Sequence, residues 1–106
     1  MLRVPIHLAL HILVPGVVAK IFYKPHWVKA WLVMLATMLV DLDHLLAIPV
    51  FDPNRCSIGF HPLHSYYAIA VYILLLLLKP SRLIAIGLLI HMFLDGIDCY
   101  WMLNLV

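Results

Sequence analysis

Residues 30–50 read AWLVMLATMLVDLDHLLAIPV, an apolar run broken by Asp41-Leu42-Asp43-His44 and then resumed. Two carboxylates and an imidazole in such a run are costly to hold near lipid, at about 3 kcal/mol or more per charge. A chain keeps them where something compensates them: each other, water or a metal. Elsewhere the sequence offers His7, His11, His61, His64, His91, Asp95 and Asp98 as partners.

The 106 residues are 66% hydrophobic and only 11% charged, with a mean hydropathy of +1.08. A soluble domain carries about 25% charged and about half apolar residues. The composition therefore predicts an integral membrane protein, a single domain over residues 1–106 with the lipid bilayer as its surroundings. The net charge of +2 is small and lies in short breaks, which gives topology rather than nucleic-acid binding. All five acids are Asp, and the seven histidines outnumber them. So much imidazole in so apolar a chain points to metal or proton chemistry. The opening Met1-Leu2-Arg3 and apolar run lack a small-x-small cleavage signal and carry His7 and His11, so the reading is a helix rather than a signal peptide.

Four apolar segments stand out, at about residues 5–23, 27–49, 62–78 and 83–105. A bilayer needs about 20 apolar residues per helix, and within it the backbone must satisfy itself. The expected fold is all-α, an up-down bundle of four transmembrane helices. Pro15-Gly16 predicts a kink in the first. Tight breaks at Lys24-Pro25-His26 and Lys79-Pro80-Ser81 make neighbouring helices antiparallel. The middle break, residues 51–60, is longer and rich in turn formers.

Lys20, Lys24, Lys29, Lys79 and Arg82 flank the two tight breaks, against Arg3 and Arg55 at the other side. The positive-inside rule then places the tight breaks in the cytoplasm and both termini outside it. Trp27 and Trp31 on one side, with Tyr100 and Trp101 on the other, either form interfacial belts or pack between helices.

This topology brings the ionisable residues to one outer layer. His7/His11 and His91/Asp95 stand at i,i+4; Asp41/His44, His61/His64 and Asp95/Asp98 stand at i,i+3. Residues so spaced share a helix face. Asp43, two from Asp41, points elsewhere in an unbroken α-helix. Metal sites in bundle cores are built from such pairs on facing helices. Neutral His and ionised Asp suit Zn, with Mn or Fe as alternatives. The candidate ligands are His7, His11, Asp41, His44, His61, His64, His91 and Asp95, enough for one or two ions. The alternative is a metal-free polar or proton-relay network. His26 stands apart in the Lys/Pro break, and Asp52 reads as a turn former. Arg55 is either a surface charge or an anion contact. Cys56 and Cys99 share the outer side, and a disulfide between them depends on reach and on an oxidising compartment.

The order of these pieces resembles a known family. His7 or His11, then Asp41-Leu42-Asp43-His44, then His61-Pro62-Leu63-His64-Ser65, then His91-Met92-Phe93-Leu94-Asp95 is similar to the pattern of the small bacterial membrane-bound metal-dependent hydrolases, one branch of which is regulated by the LexA repressor. The paired histidines are closer together here than is usual in that family. The resemblance implies hydrolysis at the outer face of the bacterial inner membrane, with a divalent metal and with Asp43 or Asp98 as general base or as the group that orients a ligand histidine. The depth of the site implies a lipid or other phosphoester substrate. A non-enzymatic metal-binding or ion-transport protein is the rival reading, and a homodimer fits a bundle of this size.

Overall fold

In the computed structural model the chain is described over residues 3–48 and 55–105. The expected end of the second segment at Pro49, and the first part of the following break, residues 51–54 with Asp52, lie outside the described residues. The architecture is all-α. Helix α1 spans Arg3–Phe22, α2 Trp27–Ala36, α3 Tyr66–Leu75 and α4 Arg82–Leu105. Short 3-10 turns at Lys24–His26 and Lys79–Ser81 join α1 to α2 and α3 to α4. Both turns carry Pro in their first two positions, where its missing N–H costs nothing.

Helix α4 is the centre of the bundle, packing against α1, α2 and α3. Ala19, Ala30 and Met34 form one buried cluster, and Val40, Tyr72 and Met92 form another. α1 is helical without interruption through Pro15. The Trp31 indole donates to the Ile12 carbonyl at 2.8 Å, three residues before that proline. Trp31 thus packs between helices rather than standing free at an interface.

The second segment departs most from expectation. After Ala36 the chain tightens into a 3-10 helix over Thr37–Leu46. Runs of this length are uncommon, because the hydrogen-bond geometry is poorer than in an α-helix. The change starts at Thr37, whose N–H and hydroxyl both donate to the Met34 carbonyl three residues back. α4 approaches closely at the same place. A Cβ on Gly87 would lie 2.9 Å from Thr37 Oγ1 and 3.0 Å from Met34 Cα. A 3-10 helix repeats every three residues, and Thr37, Val40 and Asp43 form its buried row.

The third segment is shorter than expected. Its first part is a 3-10 turn, Pro62–His64, and α3 begins only at Tyr66. Ser65 is the N-cap, its hydroxyl accepting from the Ala68 N–H at 3.2 Å. Gly59, at φ 81°, turns the chain into this element and donates to the His64 carbonyl at 3.0 Å. Cys56 and Cys99 are joined in a disulfide, with Cα atoms 5.0 Å apart.

Two described helices, Val4–Phe22 and Lys79–Leu103, are long and apolar enough to cross a membrane. The other two expected spans do not pass the same test. The second is divided between α and 3-10 geometry, and α3 has ten residues.

Candidate metal centre

The antiparallel course of the chain carries four ligand-bearing pieces to one end of the bundle. These are the first half of α1, the end of the 3-10 helix, the Pro62–His64 turn and the second half of α4. Among them they place three groups of possible metal ligands: Asp41, His64, His91 and Asp95; His7, His11 and Asp95; and Asp43, His44 and His61. Within each group the ligand atoms lie within 4.8 Å of one another.

The first group has the sharpest geometry. His64 Nε2 lies 3.2 Å from His91 Nε2, 3.2 Å from Asp41 Oδ1 and 2.9 Å from Asp95 Oδ2. His91 Nε2 lies 3.0 Å from Asp41 Oδ1 and 3.2 Å from Asp95 Oδ2. These are five of the six edges of a tetrahedron. With edges of about 3.1 Å its centre is about 1.9 Å from each corner, against about 2.0–2.2 Å for zinc to imidazole nitrogen or carboxylate oxygen. Hydrogen bonding explains the cluster poorly. Each Nε2 carries at most one hydrogen, yet each has three polar atoms around it. A cation at the centre satisfies all of them together.

His64 is held for this role by the groups behind it. Its Nδ1–H donates to Asp43 Oδ2 at 2.9 Å, and the Leu63 N–H donates to the same oxygen at 2.8 Å. With the proton on Nδ1, the Nε2 lone pair faces the cluster. A carboxylate behind a metal-bound imidazole fixes its tautomer and orientation in this way. The Leu63 peptide is gripped from its other end, where the Tyr72 hydroxyl donates to its carbonyl at 2.7 Å. His64 is fully buried.

The second group is built on α1 and α4. His7 Nε2 and His11 Nε2 stand 3.0 Å and 3.1 Å from Asp95 Oδ1. His11 Nδ1 donates to the His7 carbonyl at 2.8 Å, an acceptor that cannot give a proton back, so His11 Nε2 is unprotonated in the neutral ring. Asp98 Oδ1 lies 3.8 Å from His7 Nδ1. Two buried atoms here, His11 Nε2 and Asp95 Oδ2, make no hydrogen bond, though each has a polar neighbour at about 3 Å. Buried polar atoms are normally paired; a cation in this group would give His11 Nε2 a partner, and one in the first group would do the same for Asp95 Oδ2.

In the third group His44 Nδ1 lies 3.0 Å from the Asp41 carbonyl and 3.1 Å from Asp43 Oδ1. The His44 and His61 rings stack with centroids 3.8 Å apart. Burial and the neighbouring His44 imidazole push His61 below the usual histidine value. Arg55 lies over the Phe60 ring at 4.7 Å.

The structure thus gathers every predicted ligand at one end of the bundle, with Asp41 reaching the cluster as its phase predicts and Asp43 departing from it. α-helical spacing expects Asp41 and His44 to point inward and Asp43 elsewhere. In the 3-10 helix Asp43 is the buried member, while the Asp41 side chain is 41% exposed. Asp43 is also poorly suited to act as a base, because Oδ2 already accepts two hydrogen bonds. Sequence reasoning did not foresee the part played by Tyr72 and the Leu63 peptide. The Tyr72 phenol, alone within the apolar stretch 68–78, was the available signal, since a buried hydroxyl needs an acceptor.

No curated protein and no solved structure matches this chain. The chain belongs to a family of unknown function, DUF6122, whose model matches residues 1–102.

Proposed function

We propose that this protein is a membrane-embedded, metal-dependent hydrolase acting on a lipid or other phosphoester at the outer membrane interface. The observation that carries the proposal is the tetrahedral cluster of Asp41, His64, His91 and Asp95. The order of the His and Asp motifs, similar to that of the membrane-bound hydrolases, supports hydrolysis as its use. A divalent cation held there would acidify a bound water to a pKa of about 7 and polarise the scissile group.

The chain's own residues divide the work. His64, His91, Asp41 and Asp95 hold the cation, and Asp43 orients His64. Asp98, half-buried beside His7, would take a proton from water. The exposed edge of the cluster is Asp41, with the half-buried His44 beside it, and substrate would approach from there.

Two features support a membrane setting. The apolar windows of the two long helices are only 17% and 33% buried within the bundle. A core helix of a soluble protein would be mostly covered. The 3-10 geometry also lengthens the second segment. At about 1.5 Å per residue in α2 and about 2.0 Å in the 3-10 helix, Trp27–Leu46 extends about 35 Å, enough for a hydrocarbon core of about 30 Å. The disulfide suits an oxidising compartment, in keeping with an outward-facing site.

A second reading is a metal site without catalysis. Four protein ligands around one ion are the mark of structural zinc sites. The two readings part on one experiment. Protein purified in detergent is analysed for metal and assayed on a chromogenic phosphodiester and on phospholipid in mixed micelles. We expect bound metal and hydrolysis, with less metal and no hydrolysis in His64→Ala. Metal without turnover on either substrate class favours the second reading. Turnover surviving in metal-free protein sinks the first.

A further inference from the structure

We propose that the centre holds two cations, the second bound by His7, His11 and Asp95, with the Asp95 carboxylate bridging the pair. The inference rests on the first site being a metal site and goes beyond it.

The two oxygens of Asp95 are shared out between the groups. Oδ2 faces His64 Nε2 at 2.9 Å and His91 Nε2 at 3.2 Å. Oδ1 faces His7 Nε2 at 3.0 Å and His11 Nε2 at 3.1 Å. Four imidazole nitrogens thus converge on one carboxylate that is 4% exposed. A carboxylate has lone pairs for such contacts, but the imidazoles do not have matching protons. His11 spends its N–H on the His7 carbonyl, so its Nε2 meets Asp95 Oδ1 lone pair to lone pair. The two atoms stand close and make no hydrogen bond. With the His11 ring neutral, a shared positive centre makes that approach favourable, and the Nε2 of His7 completes its ligand set.

The second site differs from the first in being open. It has three protein ligands against four, and three ligands with a free position are the pattern of catalytic rather than structural sites. His7 is half-buried, and Asp98 stands 3.8 Å from its other ring nitrogen. A carboxylate bridge holds paired metals about 3.5–4 Å apart, close enough for both to act on one phosphoester. The division of labour follows: the four-ligand ion anchors the pair, and the three-ligand ion carries the exchangeable position.

Metal content per chain tests this directly. Wild-type protein reconstituted with zinc should hold two ions, and His7→Gln, His11→Gln and His64→Ala one each. His7→Gln is the safer substitution, since His7 lies near the start of α1 and is only half-buried. A measurement on unaltered protein keeps the test independent of folding. Reconstituted with Mn(II), the wild type should show the spin-coupled resonance of a pair and His7→Gln the six-line pattern of an isolated ion. One ion per chain in the wild type, with His7→Gln unchanged, would overturn the second site and leave the first standing. No ion in either protein would overturn both.

Discussion

Asp43 is the side chain that would govern the proposed metal site without entering its tetrahedron. It accepts from His64 Nδ1 and from the Leu63 N–H through one oxygen, and faces His44 through the other. Losing such a partner weakens metal binding about 10–100-fold. Asp43→Asn keeps the size of the side chain but gives up the charge that draws the imidazole proton. Chelator competition should therefore show the ion at the His64 site bound about 10–100-fold more weakly in Asp43→Asn, and lost from that site in His64→Ala. Complete loss in both would make Asp43 a ligand, and an unchanged affinity would remove its positioning role. The same residue marks the limit of the sequence. His7/His11 and His91/Asp95 stand at i,i+4 in true α-helices, and the spacing alone puts them together. Asp43 lies in a 3-10 helix, where the period is three, and nothing in the apolar run around it announces the change.

At the scale of the element, the junction at Thr37 decides where the ligands point. If Thr37–Leu46 continued as an α-helix, each residue would fall about 100° after the last rather than about 120°. By Asp43, six residues on, the phase would differ by about a third of a turn. The close seat of Gly87 against Met34 and Thr37 holds the two elements in register. Gly87→Ala puts a methyl within 3.0 Å of a backbone atom that cannot rotate away. We expect it to cost about 1–3 kcal/mol, as overpacking does, and to lower the melting temperature in detergent. Gly96 lies in the same helix with nothing within 4 Å of the corresponding position. Gly96→Ala should be neutral or stabilising by up to about 1 kcal/mol, from helix propensity alone. Equal effects at the two glycines would show that the close approach does not matter. The four-segment pattern was legible because hydrophobic runs and Lys/Pro breaks are local signals. The shortening of α3 was less so, because the Pro62–His64 turn is held by Asp43, some twenty residues earlier, as well as by Tyr72 within α3.

Across the whole molecule, the site is assembled from four pieces with unequal support. α1 packs against both α2 and α4, and the 3-10 helix packs against α4. The Pro62–His64 turn has less behind it. It leans on the 3-10 helix and on α3, it is held by Asp43 and Tyr72, and the chain leading into it is tied to α4 by the disulfide. That bond links residues 43 apart in sequence. Loop closure of that length is worth up to about 4 kcal/mol for a chain that unfolds fully. In a membrane the separated helices remain inserted, so the share felt here is smaller. The effect should fall on the turn first, because α4 has other contacts and the turn has few. Reduction of the wild type, or the double substitution Cys56→Ser and Cys99→Ser, should therefore speed the loss of the ion held by His64. The ion held by His7 and His11 rests on α1 and α4 and should leave at an unchanged rate. Release into a chromogenic chelator would then split into a fast phase and a slow phase, where the oxidised protein shows slow release of both. A uniform acceleration of the two phases would mean that the disulfide supports the whole bundle rather than the turn. No acceleration at all would mean that Asp43 and Tyr72 suffice to hold His64 in place.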